Sequence, residues 1–232
     1  MIITIDGPAG SGKSTLAINI AKELGFFCLN SGYLYRGLAY VLKTYYGHTD
    51  EMLLSPSMPD VLACLHSDNL RYKYAYGVVH IFWGDIDISQ FLQTLEMSKS
   101  AATIAQNDQV RAVIHDWERS LIAHKDSVIE GRAGGSTVFS YAEVKFFITA
   151  TLEVRAQRMV QDQMKRGHSL SVEKALQAVL LRDQKDMSRK RDPLVVPEGA
   201  IILDTTYLSV EQVVKEAIEH VKKAMKRDLK MN

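Results

Sequence analysis

Apolar residues along the chain switch repeatedly between two periods. Met1-Ile2-Ile3-Thr4-Ile5 is an almost unbroken apolar run. After it, apolar positions recur as Leu16, Ile20 and Leu24, with Ala17 and Ala21 beside them, until Gly25 supplies a stop. A strand followed by a helix over about 14–24 is predicted. Phe26-Phe27-Cys28-Leu29 reads as a second short buried strand. Asn30 or Ser31 then caps a helix that runs to about Tyr46, where Gly47 ends it. Further helices are predicted around Val61–Leu65, from about Glu96 to Gln106, from Asp108 to His124, and over about 152–165, 170–189 and 209–226. Short apolar runs at Ser127–Glu130, Val144–Thr149 and Ala200–Leu203 read as strands. Val144–Thr149 is nearly continuous in apolar character, as a strand covered on both faces should be.

The stretch Leu70–Gly84 breaks this alternation. Aromatic and β-branched residues alternate with polar ones on both sides of Gly77, the pattern of an antiparallel hairpin. A hairpin does not continue a parallel strand-helix alternation, so residues of about 68–95 are expected to form a small inserted subdomain. The fold class expected is α/β: a parallel sheet flanked by helices, with a small antiparallel β insert and a helical lid. One domain is expected over 1–232, with its core in about 1–67, 96–150 and 195–232. A chain of 232 residues can bury such a core.

Between the first strand and first helix stands Gly7-Pro8-Ala9-Gly10-Ser11-Gly12-Lys13-Ser14-Thr15, which matches the P-loop pattern G-x-x-x-x-G-K-[ST] in its required context. Its glycines let successive backbone N–H groups converge on phosphate oxygens, and the helix N-terminus favours the anion. Lys13 is expected to bridge the β- and γ-phosphates of a bound triphosphate, Ser14 to sit on Mg²⁺, and Thr15 to reach the phosphate nearest the nucleoside.

Composition adds exclusions. With 47% hydrophobic residues, 24% charged residues and a net charge of +1, the chain is not a nucleic-acid binder coated in positive charge. Cys28 and Cys64 are too few for a disulfide framework, and no apolar run approaches the roughly 20 residues of a membrane span. A cytoplasmic monomer that meets neither nucleic acid nor membrane is expected. The run Lys222–Arg227 reads as a solvated helix end rather than a docking patch.

Three polar clusters bear on a second substrate: Asn30–Arg36, Glu130-Gly131-Arg132, and Arg182–Arg189. Strand ends of a parallel sheet share one crevice, so Arg36 and Arg132 are expected to converge there. Arg182, Asp186 and Arg189 are spaced four and three apart, on one side of a helix if it stays helical that far. A lone arginine is ordinarily a surface charge. Four of them beside a P-loop make better sense as a cradle for phosphates, since each guanidinium presents a planar fork to phosphate oxygens.

These clusters resemble those of the bacterial cytidylate kinases, in the nucleoside monophosphate kinase group, over essentially the whole chain. The matching pieces are Ile3-Thr4-Ile5-Asp6-Gly7-Pro8, Ser31-Gly32 with Tyr35-Arg36, Gly131-Arg132, Arg182-Asp183 with Asp186 and Arg189, and Pro193-Leu194 followed by Leu203-Asp204-Thr205-Thr206. The hairpin also resembles the family's insert. The resemblance implies transfer of the γ-phosphoryl of ATP to CMP or dCMP with Mg²⁺. It also implies that Arg36, Arg132, Arg182 and Arg189 hold the acceptor phosphate and the migrating phosphoryl group, with Lys13, Arg132, Arg182 and Arg189 as the catalytic residues. Asp186 and Thr103 match pentose-contacting positions, though the family commonly has serine at the latter. Ser31 and Arg111 match base-contacting positions. The family usually reads Asp-Gly-Arg-Asp where this chain reads Glu130-Gly131-Arg132-Ala133, so the second acid, which helps recognise cytosine, is missing. Glu130 keeps a substrate-side carboxylate, one methylene longer. A site that loses a polar contact to the base loses discrimination. Another acceptor, such as UMP, AMP or an alcohol, and a nucleotide-hydrolysing switch remain open. A lid is expected over about 164–193, and Arg155 and Arg158 have two placements open, toward ATP or on the surface.

Overall fold

The computed structural model describes residues 1–66 and 69–231. In chain order its main elements are β1 (Ile2–Asp6), α1 (Lys13–Leu24), β2 (Phe27–Asn30), α2 (Ser31–Tyr45), α3 (Met58–His66), β3 (Leu70–Ala75), β4 (Val78–Trp83), β5 (Ile86–Asp87), α4 (Leu95–Ile104), α5 (Asp108–Ile122), β6 (Ser127–Glu130), β7 (Val144–Thr149), α6 (Leu152–Lys165), α7 (Val172–Met187), β8 (Ile201–Asp204) and α8 (Val210–Met231). Every strand and helix predicted from periodicity is present, with ends displaced by a few residues. Residue 68, the expected start of the insert, lies outside the described residues.

Contacts within the chain divide it into two compact units: Met1–Phe26 with Val128 onward, and Phe27–Ser127. The first unit carries four neighbouring strands of a sheet in the order β6-β1-β7-β8. β1 runs parallel to β7 with Ile3 opposite Val144 and Ile5 opposite Phe146, and β7 runs parallel to β8. Ile3, Ile5, Phe146 and Ile148 are fully buried, and Leu16 and Ile20 of α1 join them in this unit's core. The face of β7 that carries Lys145, Phe147 and Thr149 is only half-buried, so its continuous apolar run overstated the covering of that strand.

In the second unit, β3, β4 and β5 form a three-stranded antiparallel sheet. The β3–β4 turn is Tyr76-Gly77, with φ of 54° and 77°. Two successive positive φ values suit the right-handed strand twist, which is why this hairpin closes on two residues. Helix α2 packs against the sheet: a Cβ added to Gly37 would meet Cγ2 of Ile81 at 3.0 Å. The Tyr72 hydroxyl accepts from the Asn30 N–H at 2.9 Å and donates to the Cys28 carbonyl at 2.9 Å, pinning the hairpin to β2. Leu34, Leu38, Leu42, Ile81, Ile88 and Ile104 form the core here. Among the described residues no helix is long and apolar enough to cross a membrane.

Candidate active site

The P-loop leaves β1 and turns into α1 through Gly10 and Gly12, whose φ values of 75° and 94° belong to the left-handed region. An L side chain would be strained at either position. A Cβ on Gly10 would also meet the Arg155 carbonyl oxygen at 2.8 Å, so α6 begins hard against the loop. Gly12 caps α1 with its backbone alone. Lys13 follows and is buried. Its Nζ donates to the Pro8 carbonyl at 2.6 Å and approaches Ser11 Oγ at 3.3 Å. Burial, with the positive Arg132 nearby, brings the Lys13 ammonium down to about 7, against the attraction of Glu130, Asp186 and Asp183. This ammonium is poised for an anion.

Ser14 stands at the exposed mouth of the loop, and its hydroxyl donates to Glu130 Oε2 at 2.8 Å. Glu130, for which the resemblance implies a substrate-side role, accepts this bond from the loop serine. Thr15 is exposed on the first turn of α1. A hydroxyl and a carboxylate side by side make a hard-oxygen pair that fits Mg²⁺, an ion that usually takes one or two carboxylates together with phosphate oxygens and waters. Among the described residues no three His, Cys, Asp or Glu side chains are grouped to hold a metal by themselves.

Beyond Glu130 the chain turns sharply through Gly131-Arg132-Ala133 into a wide helical turn at Gly134–Val138. Asp6, wholly buried at the end of β1, sets that turn. Its carboxylate accepts from the Gly134 N–H at 2.9 Å and the Gly135 N–H at 2.7 Å. Burial raises the Asp6 pKa, the two amides only partly opposing it. Arg132 emerges from the turn, and its Nε donates to Asp186 Oδ2 at 2.8 Å.

Asp186 is the centre of the arginine cluster. It lies in the last turn of α7, fully buried, and accepts from Arg132, from Arg182 Nε at 3.2 Å and from Arg189. Helix α7 ends at Met187, so Arg189 returns to Asp186 from just beyond the helix rather than along it. The three guanidinium groups are largely shielded, their side chains 20, 21 and 6% exposed. Burial alone would raise the Asp186 pKa, but the three positive charges outweigh it and hold the carboxyl at about 2.

Two contacts bring this cluster to the P-loop. Asp183, one residue from Arg182, accepts from the Ala9 N–H at 3.0 Å. Glu130, two residues before Arg132, holds Ser14. The first unit therefore gathers the loop, Lys13, Glu130, Arg132, Arg182, Asp186 and Arg189 at one place. Arg158 is bound there too, donating to the Thr205 carbonyl at 2.7 Å and to Thr205 Oγ1 at 2.9 Å, while Thr205 Oγ1 donates to Ser11 O at 3.2 Å. Arg155 is buried against Ala9 and Asp183. Both depart from a surface placement.

The remaining expected residues lie in the second unit. Ser31 opens α2 after the Asn30 cap, whose side chain accepts from the Tyr33 N–H. Arg36 lies over the Tyr33 ring at 5.6 Å, and Arg111 of α5 lies over the Tyr35 ring at 5.9 Å. Arg111 is buried and approaches His115 Nε2 at 3.5 Å. Thr103 is half-buried near the end of α4. Asp6 and Asp183 are members of the site that sequence reading gave no role, and it left Arg155 and Arg158 open between ATP and the surface. A lone acid at a strand end directly before the P-loop was the available signal for Asp6.

Comparison with known proteins agrees with this arrangement. A crystal structure of an uncharacterized protein from Eubacterium ventriosum covers 96% of this chain and 98% of that one with a TM-score of 0.51 at 13% identity, a likeness of fold alone. Sequence relatives carry more. A cytidylate kinase of Chlamydia felis is 37% identical over 97% of this chain and all of the relative, and one of Mycoplasma genitalium is 36% identical over 97% and 98%. The sequence profile described as Cytidylate kinase matches residues 3–223, taking in the P-loop, the hairpin and the arginine cluster alike. With the profile spanning nearly its whole length and relatives this similar at both ends, the chain belongs to the cytidylate kinase family.

Proposed function

We propose that this chain transfers the γ-phosphoryl group of ATP to the phosphate of CMP or dCMP, giving ADP and the nucleoside diphosphate. The observation that carries the reading is the clustering of Arg132, Arg182 and Arg189 on Asp186, tied to the P-loop through Glu130–Ser14 and Asp183–Ala9. A hydrolase facing water needs one positive finger; three guanidiniums suit a second phosphate. Family membership supports the nucleotide acceptor.

Backbone amides of Gly10–Lys13 and the N-terminus of α1 would receive the donor's phosphates, with Lys13 Nζ leaving Pro8 O to bridge the β- and γ-oxygens. Contact with a triphosphate raises the Lys13 pKa and holds the ammonium charged. Ser14 and Glu130 would hold Mg²⁺, which when bound would offset negative charge on the donor's phosphates. The acceptor needs no general base, because a phosphate monoester with a second pKa near 6 is mostly a dianion at neutral pH. The protein's task is to overcome repulsion between anions and to align them, and preorganised guanidiniums in a shielded site do both. Residues of about 164–193 would act as a lid that excludes water. We place Arg36, Ser31, Thr103 and Arg111 on the acceptor side. The chain is read as a cytoplasmic monomer, and a reducing compartment suits its two buried cysteines, neither of which is in a disulfide.

Ala133 favours a second reading of the base alone. It is buried, and its side chain offers no hydrogen bond where the family's second acid would stand, so UMP or AMP would be rejected less strictly. The test is ADP formation from Mg·ATP with CMP, dCMP, UMP, AMP or no acceptor. Transfer fastest to CMP or dCMP is expected. ADP formation independent of any acceptor would overturn the kinase reading in favour of a hydrolysing switch.

A further inference from the structure

Asp183 and Arg155 take no part in the chemistry above, yet they form a buried polar junction in the first unit. Arg155 follows the N-terminus of α6 with its side chain 10% exposed, and Asp183 lies on α7 at 9%. Asp183 Oδ1 accepts from the Ala9 N–H at 3.0 Å, and Oδ2 accepts from Arg155 Nη1. The same Nη1 donates to the Ala9 carbonyl at 3.0 Å, while Nε donates to the Ala150 carbonyl at 3.0 Å. Both backbone polar groups of one P-loop residue are thus taken by two side chains from two different helices. Asp183 is also flanked on α7 by the residues that grip phosphate: Arg182 precedes it and Asp186, which holds three guanidiniums, follows one turn later.

We propose that Asp183 and Arg155 are positioning residues that fasten α7 to the backbone of Ala9, fixing the distance between the donor's phosphate loop and Arg182 and Arg189. The proposal rests on the phosphoryl-transfer reading. In-line transfer needs its charges set to a fraction of an ångström, and Asp183 ties α7 to both Ala9 and Arg155 at this junction. An ion pair alone would join α6 to α7. The two bonds to the Ala9 backbone, from Asp183 and from Arg155, bring the P-loop into register with them.

The test separates positioning from folding. Asp183→Asn keeps an acceptor for the Ala9 N–H but leaves Arg155 with no ionic partner; the double variant Asp183→Leu/Arg155→Leu removes both buried charges and the Ala9 acceptor together. Replacing a buried pair by apolar residues often leaves stability unchanged or raised, so the double variant is expected to stay folded. Its kcat with CMP is nevertheless expected to fall about tenfold or more while the ATP dissociation constant changes less than about threefold, the split that loss of alignment produces. Thermal midpoint and Ala9 amide exchange are measured alongside, with exchange at Ala9 accelerated in the double variant. A folded double variant with wild-type kcat would overturn the proposal, as would a kcat that drops only in proportion to the folded fraction. If wild-type protein transfers nothing to CMP, the kinase reading fails first, and Ala9 exchange still reports on the junction by itself.

Discussion

Asp186→Asn tests whether the arginine cluster is held together by one charge. The carboxylate is fully buried and meets Arg132, Arg182 and Arg189, and it loses its proton at a pH of about 2 in the folded chain against 3.8 for an ordinary aspartate. Each pKa unit corresponds to about 1.4 kcal/mol, so the ionised carboxylate stabilises the folded chain by about 2 kcal/mol at neutral pH. Because the folded-state pKa is the lower one, this stabilisation is complete above about pH 4 and is lost as the pH falls toward 2. The asparagine amide is nearly isosteric but uncharged, and it turns one acceptor into a donor facing guanidinium donors. Its expected cost at pH 7 is therefore at least those 2 kcal/mol, a drop in thermal midpoint of roughly 4–8 °C for a chain of this size. Equilibrium urea unfolding of wild type and variant, in steps from pH 7 to pH 3, should show a gap that narrows below about pH 4, where Asp186 of the unfolded wild-type chain takes up a proton that the folded chain still refuses. Equal stability at pH 7, or a gap undiminished by acid, would refute the view that Asp186 works through its charge.

Three further expectations follow from the geometry. Arg189→Ala should lower phosphoryl transfer about 10²- to 10³-fold while leaving ATP affinity nearly intact; transfer at the wild-type rate in a steady-state assay contradicts its role. Lys13, at about 7 in the free protein and raised by a bound triphosphate, should make ATP binding weaken by up to about tenfold per pH unit above 7. Calorimetric titration from pH 6 to pH 9 would show it, and the slope should vanish, with much weaker binding, in Lys13→Ala. Gly135→Ala places a Cβ 2.6 Å from Thr4 Oγ1 and should cost about 1–3 kcal/mol while loosening the turn that carries Arg132, seen as a lower urea midpoint together with a lower kcat.

The fold was legible wherever one physical rule dominated. The P-loop could be read because its glycines, lysine and serine are fixed by phosphate geometry and not by tertiary context. The hairpin could be read because period-2 alternation around Gly77 has few other uses. Helix ends with a capping signal came out closest: Asn30 caps α2 as expected, and Gly25 closes α1 with its N–H on the Ala21 carbonyl. The lower limit of α7 was set two residues early and its upper limit two residues late, because the Arg182–Asp186–Arg189 spacing imitates a helical face while Arg189 reaches Asp186 from outside the helix. For Arg155, periodicity gave no preference between water and the interior, because its burial depends on a carbonyl of the P-loop and a carboxylate 28 residues away.

What the sequence hid was mostly the partners of the acids: Asp186 could be read beside Arg182 and Arg189, but not as the carboxylate that also holds Arg132, and Asp6 and Asp183 were given no role. Arginines beside a P-loop announce a phosphate site by their own chemistry, but a cluster of buried guanidiniums is self-repelling and cannot be preorganised unless something negative stands among them. Asp186 does this for Arg132, Arg182 and Arg189, and Asp183 for Arg155. Asp6 does the equivalent for a bend of backbone, accepting two successive amides so that the chain can leave β6 and present Arg132. Such carboxylates are spaced by tertiary structure, between residues 132 and 186 or 6 and 135, where no short motif can record them. They also tie function to pH in a definite direction. With Asp186 ionised down to about pH 2, acid does not release its arginines until well below the range in which a nucleotide's own second phosphate proton, pKa near 6, has already returned. Loss of transfer on mild acidification should accordingly follow the acceptor's protonation and not collapse of the cradle. A rate profile whose acid limb falls near 6 in the wild type, and stays there in Asp186→Asn at whatever residual rate that variant retains, would bear this out; an acid limb that moves with the substitution would place the titrating group in the protein instead.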